Sequence, residues 1–268
     1  MARRDGGVTT DSTAASAVER DVLVVGLGEV GAPIMEVLSS AHRVTGRDID
    51  DVEVERVEIL HICYPFTAHF VDTTREYVAR YRPAVVVVNS TVVPGTTRAI
   101  ELATRTPTVY SPVRGKHTEM TAELRRYVKF VAGTDAASVA SVEAHFRAAG
   151  VRTKRMAPTA QLELAKLLET SYFGLLIAWA QEMDRFSHIV GGDYWDLFAF
   201  FDEIEFLPRA RFVPGFIGGH CVMPNLELLA AVRPSLLAMA IRESNHQREY
   251  EVVRSGGSTT ERQRPRLQ

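Results

Sequence analysis

The chain has 268 residues, of which 46% are apolar and 24% charged, and its formal net charge is −2. This composition is ordinary for a soluble globular protein, and the near-neutral charge excludes a global field that would favour nucleic acid or an anionic membrane. No apolar run reaches the ~20 residues that span a bilayer, and two cysteines, Cys63 and Cys221, are too few for a disulfide framework, so a cytoplasmic location is the default.

The first half of the chain alternates between apolar runs and helical patterns. Residues 1–20 are small and polar, which predicts a disordered leader, and order is expected from Asp21. From there to about residue 155, strands are expected in DVLVV, HRVTGRDID, VEILHICYP, PAVVVVNST, TVYSPV, YVKFVAG and VRTKRM, with helices between most of them. This alternation predicts an α/β fold whose first domain, residues 21–155, is built on a Rossmann-type parallel sheet with right-handed crossovers.

The character of the sequence changes after Pro158. The stretch from Thr159 to Val190 contains no proline and ends at two glycines, which predicts one long helix. Its centre is apolar nearly all round, so it is expected to be buried between domains or subunits. A shorter helix in DYWDLFAFFDEI, a glycine-rich loop VPGFIGGHCVMPN and a final helix from about Leu226 to Val253, broken near Pro234, are expected to follow. Residues 156–253 are thus expected to form an all-helical domain for substrate binding and dimerisation, and residues 254–268 a disordered tail.

A glycine-rich turn follows the first strand and opens the first helix. It reads Gly26-Leu27-Gly28-Glu29-Val30-Gly31. The first glycine permits a tight turn, the second lets the backbone approach a pyrophosphate, and the third allows close packing of the helix on the strand. The helix N-terminus adds unpaired N–H groups and the positive end of its dipole. The pattern therefore predicts a dinucleotide-binding site.

An acidic residue at the end of the second strand indicates which dinucleotide binds. Asp48 lies 20 positions after Gly28, where a carboxylate that binds the ribose hydroxyls belongs. Its charge repels a 2′-phosphate, so the predicted cofactor is NAD and not NADP, and Arg47 is expected to point to the other face of the strand. Tyr64 and Pro65 end the third strand near the same site.

Four segments together resemble the UDP-glucose/GDP-mannose family of nucleotide-sugar dehydrogenases. They are NSTVVPGTT (89–97), TVYSPVR (108–114), ELAKLLETSYFG (163–174) and PGFIGGHCVMPN (214–225). These segments are similar to the family's ESTVPVGTT, SPER, E-x-x-K-x-x-x-N and catalytic-cysteine loop, the last in the GGHC form of the N-acetylmannosamine branch. The order and spacing agree, LAMAIRESNHQR (237–248) is similar to the family's connecting helix, and the resemblance covers about residues 21–250.

The resemblance implies a catalytic site. Members of this family oxidise a sugar C6 alcohol to a carboxylate in two hydride transfers, through a thioester on a cysteine. By this resemblance Cys221 is the nucleophile, Lys166 stabilises the developing oxyanion, and Thr91 positions substrate or water. His220 is a candidate for proton transfer beside the cysteine, and Ser90 joins Thr91 at the predicted cofactor site.

From the residues alone, structural interpretations stay open. Lys166 is one of four lysines in an arginine-rich chain, which favours a specific role, yet a surface lysine paired with Glu163 explains it too. Glu163, Lys166 and Thr170 share one helix face. Cys221 is also explained as a small buried residue, and Cys63, inside a strand, is expected in the core. No metal site is expected.

The sequence departs from the family's pattern at several positions. Thr170 stands where the family has asparagine, Asn225 where it has aspartate, and Val113 where it has glutamate. The chain also stops where the family's C-terminal nucleotide-binding domain would begin, so three alternatives are open: a smaller substrate, a substrate without a nucleotide, or a substrate held by a partner chain. An anionic group on that substrate has five candidate partners, which are equally well explained as scattered surface charges: Arg114, Lys116, His117, Arg209 and Arg211.

Three functions fit these observations. The favoured one is an NAD-dependent oxidoreductase acting on an alcohol or aldehyde of a small or sugar-derived substrate, in a single hydride step. The second is a four-electron nucleotide-sugar dehydrogenase that uses a Cys221 thioester, and the third is a non-catalytic NAD-binding sensor or assembly protein. The long apolar helix predicts a homodimer, because one small domain cannot cover it; nucleic acid and membrane are not expected as partners.

Overall fold

The computed structural model describes residues 19–50, 52–205 and 212–256. Most of the predicted disordered leader and tail lies outside these residues, and so do Arg209 and Arg211.

The first half of the described chain is organised around a seven-stranded sheet. The strands are β1 (Asp21–Val25), β2 (Arg43–Arg47), β3 (Ile59–Ile62), β4 (Val85–Val88), β5 (Thr108–Tyr110), β6 (Lys129–Gly133) and β7 (Thr153–Arg155). Their order in the sheet is β2-β1-β3-β4-β5-β6-β7. All seven are the strands expected from the apolar runs, so the predicted α/β fold is confirmed.

One strand corrects the prediction of a wholly parallel sheet. β6 runs antiparallel to β5, pairing Tyr110 with Ala132, whereas the other neighbouring pairs are parallel. The chain that follows β5 stays at the carboxyl edge of the sheet, so β6 begins at that edge and runs back. A strand's composition does not reveal its direction, because the same apolar run fits either ladder.

Helices cover both faces of this sheet. They are α1 (Gly31–Leu38), α2 (Phe70–Tyr81), α3 (Thr96–Thr104), α4 (Met120–Arg126) and α5 (Ala136–Ala148). Successive strand residues point to opposite faces: Val22 and Val24 pack in one core cluster with α1, α4 and α5, while Leu23 and Val25 pack in a second with α2 and α3. The short helix α4 was not predicted.

The second half of the described chain is helical. It contains α6 (Thr159–Ile189), α7 (Tyr194–Asp202), α8 (Val222–Val232) and α9 (Leu236–Arg254). The predicted final helical segment starts earlier than Leu226, because α8 begins at Val222, and the expected break near Pro234 is present, since the chain is extended at Arg233. Ser235 then caps α9 by accepting a hydrogen bond from the backbone N–H of Ala238.

Helix α6 joins the two halves. Leu162 in its first turn belongs to the core cluster that contains α2 and α3, while α8 and α9 pack against its later turns. Three large side chains of its apolar centre, Leu168, Tyr172 and Trp179, are exposed in the single chain, so their burial against a second subunit stays a prediction. Among the described residues, none of the helices is long and apolar enough to cross a membrane.

Candidate active site

The glycine-rich turn between β1 and α1 has the shape that a dinucleotide needs. Gly26 has φ +89°, and an added Cβ there would lie 2.7 Å from the backbone nitrogen of Tyr64. A Cβ on Gly31 would lie 1.7 Å from the carbonyl oxygen of Gly26, so helix and turn approach too closely for any side chain. Beside Gly28, by contrast, no atom lies within 4 Å of an added Cβ. The turn thus leaves open space at the glycine expected to face the pyrophosphate, and the residues present fit the cofactor.

Asp48 lies beside this turn. Its Oδ1 accepts a hydrogen bond from the backbone N–H of Leu27 at 3.3 Å, and the side chain is exposed. The Arg47 guanidinium lies 4.7 Å from the ring centroid of Tyr77 in α2, so the two neighbouring side chains point apart, as strand alternation predicts. Ile49, which sequence analysis missed, is 92% exposed and offers an apolar surface next to the carboxylate; its signal in the sequence was an apolar residue between two aspartates.

The ends of β3 and β4 meet near the same turn. Ser90 donates a hydrogen bond from Oγ to the carbonyl oxygen of Tyr64 at 2.6 Å, which ties the segment after β4 to the segment after β3. The Tyr64 hydroxyl bonds the Thr74 hydroxyl at 2.6 Å. Thr91 is half-buried and Pro65 is exposed. These four predicted residues therefore lie at neighbouring carboxyl ends of the sheet, where ligands of open α/β folds bind.

Glu163 binds the start of α3 and not Lys166. Its fully buried carboxylate accepts hydrogen bonds from the backbone N–H groups of Gly95 (2.5 Å) and Thr97 (2.8 Å) and from the Thr97 hydroxyl (2.6 Å). Helix α3 has no side-chain cap at its own residue Gly95, so Glu163 supplies the acceptor that its first turn needs. This contact holds the segment after β4 against α6.

Lys166 is paired with Glu169. Its Nζ lies 3.2 Å from Glu169 Oε2, and the other carboxylate oxygen accepts from Arg114 Nε at 3.1 Å. The alternative interpretation, in which Lys166 is a surface lysine paired with Glu163, is therefore contradicted. Since Arg114 follows β5, Glu169 links the SPVR segment to the same helix, and sequence analysis gave no signal for this bridging role. An ammonium has three donors, of which the bond to Glu169 uses one.

Cys221 lies at the start of α8, which packs on α6. A Cβ on Gly174 would lie 2.6 Å from Val222 Cγ1, so the backbone of α6 directly contacts the residue after Cys221. Gly174 shares the α6 face of Lys166 and Thr170, and because a helix rises 1.5 Å per residue it lies about 12 Å along the axis from Lys166. Lysine and cysteine thus lie along one face of α6.

The loop that ends at Cys221 also reaches the glycine-rich turn. His220 Nε2 lies 3.4 Å from Glu29 Oε1, and both side chains are largely exposed. This contact joins residues 191 positions apart in sequence. It brings His220, the residue before the predicted nucleophile Cys221, next to the glycine-rich turn that is predicted to bind the cofactor.

Cys63 belongs to the interior of the sheet half. Burial raises the pKa of its thiol to about 12, and it packs against the core cluster that includes α1 and α5. Sequence analysis expected Cys63 in the core; it lies directly after β3 and is half-buried at the margin of that cluster. Within the described residues, His, Cys, Asp and Glu side chains form no group of three or more suited to a metal ion.

The predicted anion-binding cluster is not assembled as a group in the described structure. Arg114 is engaged with Glu169, and Lys116 is exposed. The side chain of His117 and all of Arg209 and Arg211 lie outside the described residues.

Comparisons with known proteins agree with the resemblance seen in the sequence. Residues 160–247 match the model of the central domain of the UDP-glucose/GDP-mannose dehydrogenase family. A search of curated proteins gives no match.

Several solved structures share the fold. A UDP-D-ManNAc dehydrogenase from Pyrococcus horikoshii is 18% identical with a TM-score of 0.75, covering 88% of this chain and 72% of its own. A UDP-glucose dehydrogenase from Pyrobaculum islandicum is 17% identical with a TM-score of 0.75, and the match covers 94% of this chain and 74% of the dehydrogenase. The 3-hydroxyisobutyrate dehydrogenase of Mycobacterium tuberculosis is 16% identical with a TM-score of 0.66, covering 88% and 94%. The predicted resemblance is confirmed, and the fold is that of these dehydrogenases.

Proposed function

We propose that this chain is an NAD-dependent oxidoreductase resembling the nucleotide-sugar dehydrogenases, acting on an alcohol or aldehyde of a small or sugar-derived substrate. The observation that carries the proposal is the position of α6. One face of this helix bonds the segment after β4 through Glu163, bears Lys166, and contacts the start of α8 at Gly174. The glycine-rich turn lies at the same edge of the sheet, so cofactor, lysine and cysteine have one region in common. The structural neighbours include enzymes for both nucleotide sugars and a small hydroxy acid, which supports the breadth of this substrate class.

NAD is the proposed cofactor. The exposed Asp48 carboxylate beside the open Gly28 turn fits the two ribose hydroxyls and repels a 2′-phosphate. When bound, the nicotinamide ring takes up or gives the hydride. Neither cysteine forms a disulfide, in keeping with the cytoplasmic location included in this proposal.

We expect NAD(H) to bind at least about tenfold tighter than NADP(H), a difference of ~1.4 kcal/mol. Calorimetric titration of the two dinucleotides measures this ratio. Asp48→Asn should reduce it, because the neutral amide no longer repels the 2′-phosphate, while Asp50→Asn, two residues further on, serves as the control. Equal affinities in the wild type would show that Asp48 does not face the ribose.

Lys166 is the proposed partner of the reacting oxygen. An alcohol substrate would give the hydride on its carbon to the oxidised nicotinamide and its hydroxyl proton to solvent, which would leave a carbonyl. The Lys166 ammonium donates a hydrogen bond to that oxygen as negative charge develops on it, and stays oriented by Glu169. Any hydride transfer at an alcohol carbon needs such a partner.

In the alternative four-electron reaction, Cys221 would serve a second oxidation. Its thiolate would add to the aldehyde carbon to form a thiohemiacetal, a second oxidised dinucleotide would accept the hydride from that carbon to leave a thioester, and water would release the carboxylate and the free thiol. The residues that support this route in the family are changed: Thr170 donates its hydroxyl to the carbonyl of Lys166 at 3.0 Å, and Val113 and Asn225 are buried. We therefore favour the single step over the four-electron reaction.

Two substitutions separate these functions, once a panel of nucleotide sugars and small hydroxy acids has been screened for NADH formation. Lys166→Ala should lower turnover by ~10²–10³, the usual cost of losing an oxyanion partner, whereas Cys221→Ser should leave the alcohol–aldehyde step measurable. Lys154→Ala, an exposed lysine on β7, is the matched control.

The remaining outcomes decide against the proposal. Two NADH per substrate, both lost in Cys221→Ser, would establish the four-electron route. Unchanged turnover in Lys166→Ala would remove this lysine from the chemistry. Tight NAD binding with no turnover on any substrate of the panel would favour a sensor or assembly protein.

A further inference from the structure

Two buried amide side chains form hydrogen bonds with the backbone of the loop that carries Cys221. Asn245 of α9 accepts a hydrogen bond from the backbone N–H of Ile217 at 2.7 Å and donates one to the carbonyl of the same residue at 3.1 Å. It binds Ile217 as a neighbouring strand would. Gln181 of α6 donates to the carbonyl of Gly215 at 2.7 Å. Both amides are nearly or fully inaccessible to solvent.

Further hydrogen bonds determine the orientation of these amides. The Ser244 hydroxyl donates to Gln181 Oε1 at 2.9 Å, and Gln181 Nε2 also lies 3.4 Å from Asn245 Oδ1. Arg185 holds Ser244 in turn, by donating to its hydroxyl at 3.0 Å and to its carbonyl at 2.8 Å. Because each amide nitrogen faces a carbonyl, neither amide can be reversed without losing a bond. The pair therefore has one arrangement.

The anchored residue lies four positions before Cys221. Gly218 and Gly219 follow Ile217, and Gly219 has φ +81°, so the chain between anchor and cysteine has few conformational restraints of its own. The side chains of Ile217 and Val222 are buried in one core cluster, whereas residues 218–220 are exposed. The exposed residues 218–220 thus lie between two buried residues, Ile217 and Val222. The position of Ile217 depends on its hydrogen bonds to Asn245.

We propose that Asn245 and Gln181 are positioning residues that hold this loop so that Cys221 and His220 face the substrate. The inference rests on the proposed function for its catalytic consequence. A purely structural pair would lower stability when replaced and leave the cysteine as reactive as before. A positioning pair also changes the cysteine's environment in the folded protein.

Alkylation of Cys221 tests the proposal without any substrate. The full chain is treated with iodoacetamide at several pH values, below its melting temperature. Mass spectrometry of the modified peptide separates Cys221 from Cys63, which is also half-buried. Asn245→Asp keeps the shape of the side chain and its acceptor but loses the donor to Ile217. At one or more of these pH values we expect the rate of Cys221 alkylation to change by about tenfold, which is the scale of one buried hydrogen bond.

Controls keep the test decisive. Gln181→Met loses only the bond to Gly215 on the loop side and serves if Asn245→Asp does not fold. Gln247→Met changes an exposed amide on α9 that bonds Glu243 and should match the wild type. NAD affinity of Gln247→Met should also match the wild type, and circular dichroism shows whether each variant is folded. An alkylation profile identical to the wild type in folded Asn245→Asp or Gln181→Met would overturn the proposal.

Kinetics then separate this inference from the proposed function. For a substrate whose turnover is lost in Cys221→Ser, Asn245→Asp should lower kcat by about tenfold, while Gln247→Met keeps the wild-type value. If the wild type turns over no substrate, the proposed function fails, while the alkylation result still decides whether the amides position the cysteine.

Discussion

His61, Asn89 and His145 form a chain of buried hydrogen bonds inside the sheet half. The Asn89 amide nitrogen donates to the carbonyl of Val87 at 3.2 Å and to His61 Nδ1 at 3.0 Å. His61 therefore carries its proton on Nε2 and donates it to His145 Nε2, also at 3.0 Å. Burial lowers the pKa of His61 to about 3 and that of His145 well below its usual value. One backbone carbonyl thus determines the tautomers of two neutral histidines.

Lys129 is a second buried polar group, with a measurable consequence for stability. Its Nζ donates to the carbonyls of Ser111 (2.8 Å) and Pro112 (3.3 Å), and its side chain is nearly inaccessible to solvent. Burial lowers the pKa of Lys129 to about 7, with the charge of Lys166 adding to the effect. Between pH 7 and the unfolded value of 10.5 the unfolded chain binds this proton and the folded chain does not, so the free energy of unfolding rises with pH in that window.

Lys129→Met should remove this rise. Urea unfolding at pH 7 to 8.5 should show a wild-type free energy that increases by up to ~1.4 kcal/mol per pH unit, and a flatter line for the variant. Lys154→Met, which changes an exposed lysine, should follow the wild type. If the free energy of unfolding depended on pH in the same way in the wild type and in Lys129→Met, the pKa of Lys129 would be the same in the folded and unfolded chains, which would contradict the prediction.

At the scale of elements, the contact between α6 and α8 brings Cys221 to the long helix. Glycine inside a helix costs ~1 kcal/mol relative to alanine, so Gly174 is retained against propensity. The reason is steric, because a Cβ there would lie 2.6 Å from Val222 Cγ1, and β-branched valine cannot rotate away cheaply.

We expect Gly174→Ala to lower the stability of the protein, in spite of its better helix propensity. Val222→Ala removes the obstructing methyl groups, so the double variant should recover part of the loss, with a coupling free energy of ~1 kcal/mol or more. Thermal or urea unfolding of the four proteins in this cycle measures it. If Gly174→Ala were more stable than the wild type, α8 would be able to shift away from the added methyl group without a loss of stability. The contact between the two helices would then not determine the position of Cys221.

At the scale of the whole molecule, α6 leaves an apolar stripe uncovered. Its exposed members recur at helical spacing and comprise Leu168, Tyr172, Trp179, Phe186 and Ile189. A stripe of this kind is typical of a protein–protein interface. A second copy of the chain could cover it with its own α6, since twofold symmetry places the same surface on both subunits.

We therefore predict a homodimer built on α6. Light scattering at micromolar concentration should give twice the mass of the chain, and Trp179→Lys should give a monomer, because the charge would be buried without a partner. Leu102→Lys alters an exposed apolar residue on α3 and should leave the mass unchanged. A monomeric wild type would contradict the prediction.

Much of the fold could be predicted because its signals are local. The apolar runs of the strands, the glycine-rich turn with Asp48, and the length of α6 depend on residues close together in sequence, and α6 ends within one residue of its predicted limit. The α6 face bearing Glu163, Lys166 and Thr170 also follows from helical spacing alone.

The rest was decided by contacts between distant segments. The direction of β6 depends on its pairing with β5. The contact of Glu163 with Gly95, the bridge from Arg114 to Glu169 and the anchoring of the Cys221 loop by Asn245 join residues 28 to 68 positions apart. The sequence around an amide or a carboxylate in a helix does not indicate which backbone groups it will bind. By itself the sequence determined which chemical groups this protein has and on which elements they lie. Only the tertiary structure decided which of them meet, because hydrogen bonds depend on distance and angle between atoms that the chain order leaves undefined.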